Sequence, residues 1–240
     1  MRDRRIIQWQ RHYRKLFDDC ERLGINCPAA TVFEADLAKI SLHDPDCIVK
    51  IIVTRGIGAR GYAALEQVEP TRAVLSSTLP SYPSEYATEG VTVRLCDLRL
   101  AHQPRLAGIK HLNRLEQVMA RNEWNDPAIA EGLLRDETDH MISGTMSNLF
   151  VIRDRQLFTP DLASCGIAGV TRDRIMASAV QLGLDLMVGQ LELTELLAAD
   201  EILLCNSVIG VWQIRELEEN RWIKGRVTPL IRALLEKDDD

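Results

Sequence analysis

The sequence has no excess of basic residues, no long apolar run and no closely paired cysteines, and each absence argues against a class of protein. Its 29 Lys and Arg are outnumbered by 35 Asp and Glu, and the formal charge of −6 argues against a nucleic-acid-binding surface. No uninterrupted apolar stretch reaches the roughly 18 residues of a membrane span. No apolar segment follows the basic residues of Met1–Arg5, so a secretory signal is not expected either.

The cysteine and histidine spacings do not indicate a metal site. None of the cysteines has the C-x-x-C spacing of a zinc site or a redox pair, and the five histidines include no H-x-x-x-H. We therefore expect free thiols in a reducing cytoplasm and no bound metal. The six cysteines are Cys20, Cys27, Cys47, Cys96, Cys165 and Cys205.

Hydrophobic periodicity predicts a mixture of helices and strands over 240 residues, of which 46% are apolar. This length suits one large domain or two modest ones. A polar, proline-containing stretch over 101–108 marks a boundary between a small α/β domain, 1–102, and a larger domain, 106–240. Helices are predicted over 7–23, 31–40, 112–122, 171–182, 193–198 and from 229 onward, and strands over 47–53, 72–78, 90–96, 128–134, 141–142, 148–153, 157–159, 184–188 and 201–205.

Two glycine-rich loops are candidates for binding a phosphate. Gly56-Ile-Gly-Ala-Arg-Gly61 has the glycine spacing of a dinucleotide-binding loop, but Pro70 and a strand follow where that motif needs a helix. Gly166-Ile-Ala-Gly-Val-Thr-Arg172 instead enters a predicted helix, where successive backbone N–H groups can bind an anion. The alternative is a plain glycine turn with Thr171 as the N-cap, and the residues alone leave both open.

Two further segments carry side chains suited to chemistry. Asn206 and Ser207 end an apolar strand, where they could donate to an anion or satisfy the amides of a local turn. Lys110 lies in the apolar sequence Leu106-Ala-Gly-Ile-Lys-His-Leu112. Burial there would lower the pKa of its amine and suit it to form a Schiff base, whereas a lysine that simply reaches solvent would have no such role.

Together these segments resemble the 4-amino-4-deoxychorismate lyases, which are fold-type IV pyridoxal-phosphate (PLP) enzymes. The strongest likeness is Ala107-Gly-Ile-Lys-His-Leu-Asn-Arg-Leu-Glu-Gln-Val118. Gly144-Thr-Met-Ser-Asn-Leu-Phe150, Cys165-Gly-Ile-Ala-Gly-Val-Thr-Arg172 and Leu204-Cys-Asn-Ser207 follow in the family's order, and Thr54-Arg-Gly-Ile-Gly-Ala-Arg-Gly-Tyr62 matches its first-domain loop. The resemblance implies an α+β fold of two domains, a small α/β sandwich-like domain and a larger barrel-like β domain with flanking helices, with PLP at their interface.

The resemblance also implies roles for individual residues. Lys110 would form the Schiff base with PLP and, once released, act as the catalytic base. Arg60 and Arg114 lie inside matching motifs and are the candidates to bind the two substrate carboxylates, although structural salt bridges are an equal alternative. The remaining implied cofactor contacts are packing against the pyridine ring, by Ile167, and a phosphate site formed by Gly169, Val170, Thr171, Asn206 and Ser207.

The reaction implied by the resemblance is the loss of pyruvate from 4-amino-4-deoxychorismate, which gives 4-aminobenzoate, a precursor of folate. The expected partner is this small-molecule substrate, and the family implies a homodimer. Neither a nucleic acid nor a membrane is expected as a partner.

Three departures from the family's pattern matter. The family places a phosphate-binding arginine three residues after the histidine of its first helix, and Lys15 follows His12 at that spacing, which keeps the charge but loses the bidentate fork. Ser143 stands where a glutamate usually pairs with the pyridine nitrogen, and a hydroxyl supplies no charge there. The family's opening segment, with a Tyr-Gly-Asp-Gly-like turn, has no counterpart before Met1, so we expect a truncated or misassigned start.

Two other interpretations stay open at this point. The chain could be a fold-type IV aminotransferase of the D-amino-acid or branched-chain type, although an uncharged partner for the pyridine suits an elimination driven by aromatisation better than a transamination. It could also be a non-catalytic, truncated homologue that binds PLP poorly.

Overall fold

The computed structural model describes residues 1–64 and 68–239, which form two compact units, Met1–Ser81 and Tyr82–Asp240. Among these residues no helix is both long and apolar enough to cross a membrane. The first unit contains two helices and a two-stranded antiparallel sheet. Its elements are α1 (Trp9–Arg22), α2 (Ala30–Ser41), β1 (Ile48–Thr54) and β2 (Thr71–Ser77).

An aromatic cluster holds the two helices of the first unit together. Phe33 of α2 is fully buried, and its ring centroid lies 6.5 Å from that of Trp9 and 6.3 Å from that of Tyr13. Gly24 ends α1 with φ +64°, a left-handed conformation that glycine adopts at little cost. The Arg55 guanidinium donates to the carbonyls of Leu23 and Gly24, so the residue after β1 is attached to the end of α1.

The second unit is built on a nine-stranded sheet. Its helices are α3 (Glu85–Thr88), α4 (Leu115–Arg121), α5 (Val170–Ser178), α6 (Leu193–Leu197) and α7 (Val227–Asp239). Its strands are β3 (Val91–Leu100), β4 (Ile129–Asp136), β5 (Met141–Gly144), β6 (Asn148–Arg153), β7 (Gln156–Pro160), β8 (Asp185–Gly189), β9 (Glu201–Asn206), β10 (Gly210–Leu217) and β11 (Asn220–Arg221).

Six of these strands close into a ring. The path runs β10-β3-β4-β5-β6, and β9 pairs with both β6 and β10, which completes a barrel-like sheet. The β10–β3 and β3–β4 pairs are parallel, and the other four pairs of the ring are antiparallel. Closure removes the open edges that these six strands would otherwise present.

The apolar runs of the ring are long because both faces of the strands are buried. Leu149 and Val151 of β6 pack in one cluster with Trp212, whereas the alternate residues Phe150 and Ile152 pack in a second cluster. The second cluster includes Ile175 of α5 and Ile231 of α7, so these helices cover one face of the sheet. The period of two along a strand therefore distributes apolar residues to both faces rather than to one.

The division of the chain falls earlier than the boundary that the sequence suggests at 102–106. β3, assigned above to the small domain, pairs with β4 and β10 of the large sheet, so the second unit begins at Tyr82. The physical reason is that hydrogen bonding to distant strands decides which unit a strand joins, and local composition does not report it. The helix expected over 171–182 ends at Ser178, and β10, β11 and α3 were not predicted.

Candidate functional site

Two loops of the second unit meet at an isolated parallel bridge between Gly108 and Ile167. The Gly108 N–H donates to the Gly166 carbonyl at 3.0 Å, and the Ala168 N–H donates to the Gly108 carbonyl at 3.0 Å. Gly108 and Gly166 have φ values of +77° and +84°, which other residues rarely adopt. Because the bridge is parallel, both chains leave it in the same direction, one toward Lys110 and the other toward the start of α5.

Lys110 is exposed, while the residue before it, Ile109, is fully buried. The Ile109 N–H donates to the Leu106 carbonyl, so the backbone before the lysine is anchored. The apolar residues around Lys110 in the sequence therefore fix the loop and do not enclose the amine. The amine is presented at the surface of the second unit, on a firmly held backbone.

The first turn of α5 offers backbone donors. Gly169 is the N-cap, with φ −77° and ψ 150°, and it has no side chain with which to cap the helix. The N–H groups that follow, of Val170 and Thr171, have no partner inside the helix because they belong to its first turn. Thr171 is thus the second helical residue, and the alternative that makes it the N-cap is wrong.

A hydroxyl pair extends this set of donors. Thr171 is buried, and its Oγ1 lies 3.3 Å from the Oγ of Ser207, which is exposed. We call Gly169, Val170, Thr171 and Ser207 the α5 corner. With two helix-start amides, two hydroxyls and the positive end of a helix dipole, the corner is suited to a phosphate-sized anion.

Asn148 positions the corner. Its Nδ2 donates to the Ile167 carbonyl at 2.8 Å, and its Oδ1 accepts from the Gly169 N–H at 3.2 Å. A Cβ added to Gly169 would lie 2.4 Å from that Oδ1, so the close approach requires glycine. Ser143, the candidate partner of the pyridine nitrogen, is buried on β5 directly opposite Asn148 in the strand register.

Asn206 forms the turn that presents Ser207. Its Nδ2 donates to the Met146 carbonyl at 3.0 Å, and its Oδ1 accepts from the N–H groups of Val208 and Ile209. The Oδ1 end of this amide is therefore used within its own turn, and the Nδ2 end ties that turn to the one between β5 and β6. Of the two possibilities left open by the sequence, the structure shows the local turn for Asn206, whereas Ser207 is exposed and its hydroxyl lies beside that of Thr171.

Glu131 is a buried residue of this region that the sequence analysis missed. It is 1% exposed, and its carboxylate accepts from the Oγ1 of Thr145 and the Oγ of Ser147, and from the backbone N–H groups of Gly132, Thr145 and Met146. Five donors offset the cost of burying one charge. The signal available in the sequence was a single acidic residue inside an apolar strand. Its carboxylate fixes the turn whose Met146 carbonyl supports Asn206.

Arg114 lies shortly after Lys110 in the sequence and is the N-cap residue of α4. One of its terminal nitrogens lies within hydrogen-bond distance of the His111 ring, and its Nε is buried with no hydrogen-bond partner among the described residues. Burial lowers the pKa of the guanidinium, which Glu116 partly offsets. A half-buried guanidinium with an unused donor can still donate hydrogen bonds to a carboxylate.

Lys15 and Arg60 lie in the first unit. Lys15 pairs with the Asp19 carboxylate one turn further along α1. Arg60 is exposed on the loop that follows β1. The structure thus gives Lys15 an anionic partner in its own helix, and it leaves the Arg60 guanidinium at the surface.

Two features of the second unit are typical of one class of protein, which the next comparison identifies. One is the closed ring of strands with flanking helices, and the other is the lysine loop bridged to a helix start that glycine caps. The Amino-transferase class IV family matches residues 1–217, and the chain belongs to that family. The expectation of a fold-type IV, two-domain α+β protein is confirmed.

Individual proteins of the family and their solved structures are also similar to this chain. The aminodeoxychorismate lyase of Vibrio harveyi is 35% identical over 207 residues, which cover 86% of this chain and 76% of the relative. The crystal structure of 4-amino-4-deoxychorismate lyase from Pseudomonas aeruginosa superposes with a TM-score of 0.94 and 39% identity, over 99% of this chain and 88% of that one. The branched-chain amino acid aminotransferase of T.th., solved with pyridoxamine 5'-phosphate, shares the fold at 20% identity and TM-score 0.81, over 96% of this chain and 78% of that one.

Proposed function

We propose that the chain is an aminodeoxychorismate lyase that uses PLP to convert 4-amino-4-deoxychorismate into 4-aminobenzoate and pyruvate. The observation that carries the proposal is the Gly108–Ile167 bridge, which places the Lys110 loop beside the α5 corner. Two relatives that bear the lyase name, at 35% and 39% identity, support the particular reaction.

The residues of the second unit fit the cofactor. The α5 corner supplies the donors that a phosphate needs, and the close contact between Gly169 and Asn148 leaves no room for a side chain there. We assign the phosphate to the Val170 and Thr171 amides and the Ser207 hydroxyl, with Asn206 holding the turn. Ile167 would pack against the ring, and Lys15 stays the further phosphate-binding candidate that the family resemblance implies. When bound, PLP supplies an electron-withdrawing ring that stabilises negative charge developing on the substrate.

The chain's own groups supply the amine and the proton transfer. Lys110 Nζ would hold the cofactor, and when not so engaged its amine would be the base that removes the proton from the substrate ring carbon. The Ser143 hydroxyl would donate a hydrogen bond to the pyridine nitrogen and would contribute no charge. Loss of pyruvate then produces an aromatic ring, so the reaction needs less charge stabilisation than a transamination does.

Two arginines are proposed to bind the substrate carboxylates. Arg114 keeps a buried Nε donor and follows the catalytic lysine closely, and Arg60 has an exposed guanidinium. Arginine suits this task because its planar fork matches a carboxylate. The proposal includes a homodimer, as the family implies, and the cytoplasm, which agrees with six cysteines in the free thiol form.

The test combines covalent trapping with product analysis. The purified full chain, reconstituted with PLP, is treated with borohydride and digested, and the PLP adduct is located by mass spectrometry. We expect the adduct on Lys110, 4-aminobenzoate and pyruvate as products, and at least about a thousandfold loss of turnover in Lys110→Ala, because both the amine and the base are removed.

The matched control is Lys224→Ala, since Lys224 is an exposed lysine of the same unit whose nearest ion pair, at 3.5 Å, is with Glu89. Its trapping and turnover should equal those of the unmodified chain. An adduct on another lysine would overturn the proposal. Transfer of an amino group to a keto acid without release of pyruvate would instead identify an aminotransferase, and no adduct at all would identify a non-catalytic homologue.

A further inference from the structure

A second cluster of polar side chains lies in the same unit, away from the α5 corner. It consists of His102 after β3, Asp136 at the end of β4 and Cys165 in the loop before Gly166, and we call it the His102 cluster. One ligand atom from each residue lies within 4.8 Å of the other two. Asp136 is 5% exposed and Cys165 6%. The Gln103 N–H donates to the Ser164 carbonyl at 2.8 Å, which holds the two loops together at this point.

We propose that the His102 cluster binds one Zn²⁺ ion through the His102 imidazole, the Asp136 carboxylate and the Cys165 thiolate. Imidazole nitrogen, carboxylate oxygen and thiolate sulfur are the three ligand types that zinc takes in proteins, at about 2.0–2.3 Å. The His102 Nε2 and Asp136 Oδ2 atoms are 2.8 Å apart, so a small separation of the two side chains admits the ion.

Asp136 is already oriented to act as a ligand. Its Oδ1 accepts from the Thr138 N–H, the Thr138 hydroxyl and the His140 N–H, each at 2.9 Å. These bonds fix the carboxylate and direct Oδ2 at His102. A ligand held by its neighbours in this way loses little conformational freedom when a metal binds.

His102 carries the partner that metal-binding histidines usually have. Its Nδ1 lies 3.3 Å from the Oε1 of Glu137, so the ring can donate Nδ1–H to that carboxylate and turn Nε2 toward Asp136. When the ion replaces the proton between Nε2 and Asp136, this carboxylate–histidine arrangement holds the tautomer in which Nε2 is the ligand. His102 and Glu137 belong to different segments of the chain, so their contact does not arise from a single local turn.

The cluster also has an entry path for the ion. A small cleft beside it is lined by His102, Asp136, Thr138, His140 and Ser164, together with other residues. Three protein ligands leave one tetrahedral position, which water from this cleft can fill. When the sulfur–zinc bond forms, the Cys165 thiol gives up its proton to solvent.

The test uses the full chain after removal of metal with a chelator. Zinc is titrated in competition with a chromophoric chelator, and bound metal is counted by mass spectrometry. We expect one Zn²⁺ per chain, and a loss of affinity of at least about a hundredfold in Cys165→Ser and in His102→Gln. Glu137→Gln should cost about tenfold, because it orients a ligand without binding the ion.

Cys27→Ser is the matched control, since Cys27 is a half-buried thiol of the other unit and should leave zinc affinity unchanged. Cobalt(II) gives a readout that needs no variant: the unmodified chain should develop the charge-transfer absorption of a cobalt–thiolate bond. Zinc bound in less than one equivalent, affinity lost in Cys27→Ser instead of Cys165→Ser, or a cobalt spectrum without the thiolate band would each overturn the proposal.

Discussion

Two loops, 101–110 and 161–169, run past both the α5 corner and the His102 cluster, yet these two regions are suited to ions of opposite charge. The Gln103–Ser164 hydrogen bond joins the loops near the cluster, and the Gly108–Ile167 bridge joins them near the corner. At the corner the groups that face outward are backbone N–H groups and hydroxyls. At the cluster they are a carboxylate, an imidazole and a thiol.

The difference shows that backbone geometry selects the anion and side-chain identity selects the cation. At the corner the Val170 and Thr171 amides are available because a helix begins there, and the close approach to Asn148 requires that Gly169 has no side chain. The cluster instead depends on three particular side chains from three separate segments. A substitution in one region should therefore change ligand binding there and leave ligand binding in the other region unchanged. Variants of each region can test this expectation.

The largest effect on the corner should come from Gly169→Ala. The new Cβ would lie 2.4 Å from Asn148 Oδ1, so the side chain that holds both Ile167 and Gly169 must move. We expect PLP affinity, measured by fluorescence titration, to fall about a hundredfold, equivalent to about 2.8 kcal/mol. Zinc affinity at the His102 cluster should not change.

A double-mutant cycle tests the cause of that loss. In an Asn148→Ala background the clashing oxygen is gone, so Gly169→Ala should cost much less there than in the unmodified chain. Equal costs in the two backgrounds would show that the contact with Asn148 is not what requires glycine at this position.

A smaller effect is expected at the cluster, in the dependence of stability on pH. Burial alone would raise the pKa of Asp136, but hydrogen bonds from His102, Thr138 and His140 outweigh it and hold the pKa below its ordinary value. A carboxylate with a lowered folded-state pKa stabilises the protein above the unfolded pKa of about 3.9, and this contribution is lost as the pH falls through the folded value.

Asp136→Asn isolates this contribution, because the amide does not titrate. Without metal, we expect the substitution to lower the free energy of unfolding by about 2 kcal/mol at neutral pH, measured by urea denaturation. The difference between the two proteins should shrink as the pH is lowered below about 4. A difference that stays constant across this range would show that the charge of Asp136 is not stabilising.

The smallest effect is expected from Ser207→Ala. Its hydroxyl is one of several donors at the corner, so its removal should weaken PLP binding about fivefold, or about 1 kcal/mol. Ser178→Ala is the control, since the Ser178 hydroxyl donates to the Arg174 carbonyl within α5. If Ser207→Ala weakened PLP binding more than Gly169→Ala, side chains rather than backbone donors would dominate the corner.

Much of the fold could be predicted because its signals are local. The β-branched run before Thr54 predicted β1, and the apolar segments over 148–153 and 201–205 predicted β6 and β9. The pairing of β9 with both β6 and β10 could not be predicted, because it joins residues far apart in the chain. β10 was missed altogether, and with it the closure of the ring.

The site shows the same division. Lys110, the glycine loop and Ser207 were proposed from motifs, since each expected role depends on a short run of sequence. Glu131 and Asn148 act on loops contributed by other segments, so their importance emerges only when those loops are folded against them. The His102 cluster was hidden for the same reason, because cysteine and histidine spacing indicates a metal site only when the ligands are neighbours in the chain.

Sequence patterns alone were enough to indicate the family, seven of the nine strands of the large sheet and the lysine that carries the proposed chemistry, because periodicity and short motifs act over a few residues. Folding of the whole chain was needed to show that β3 joins the larger unit, that the Asn206 amide reaches the Met146 carbonyl, and that three separate segments bring an imidazole, a carboxylate and a thiol together. These outcomes depend on long-range hydrogen bonds and packing, whose partners no local pattern specifies.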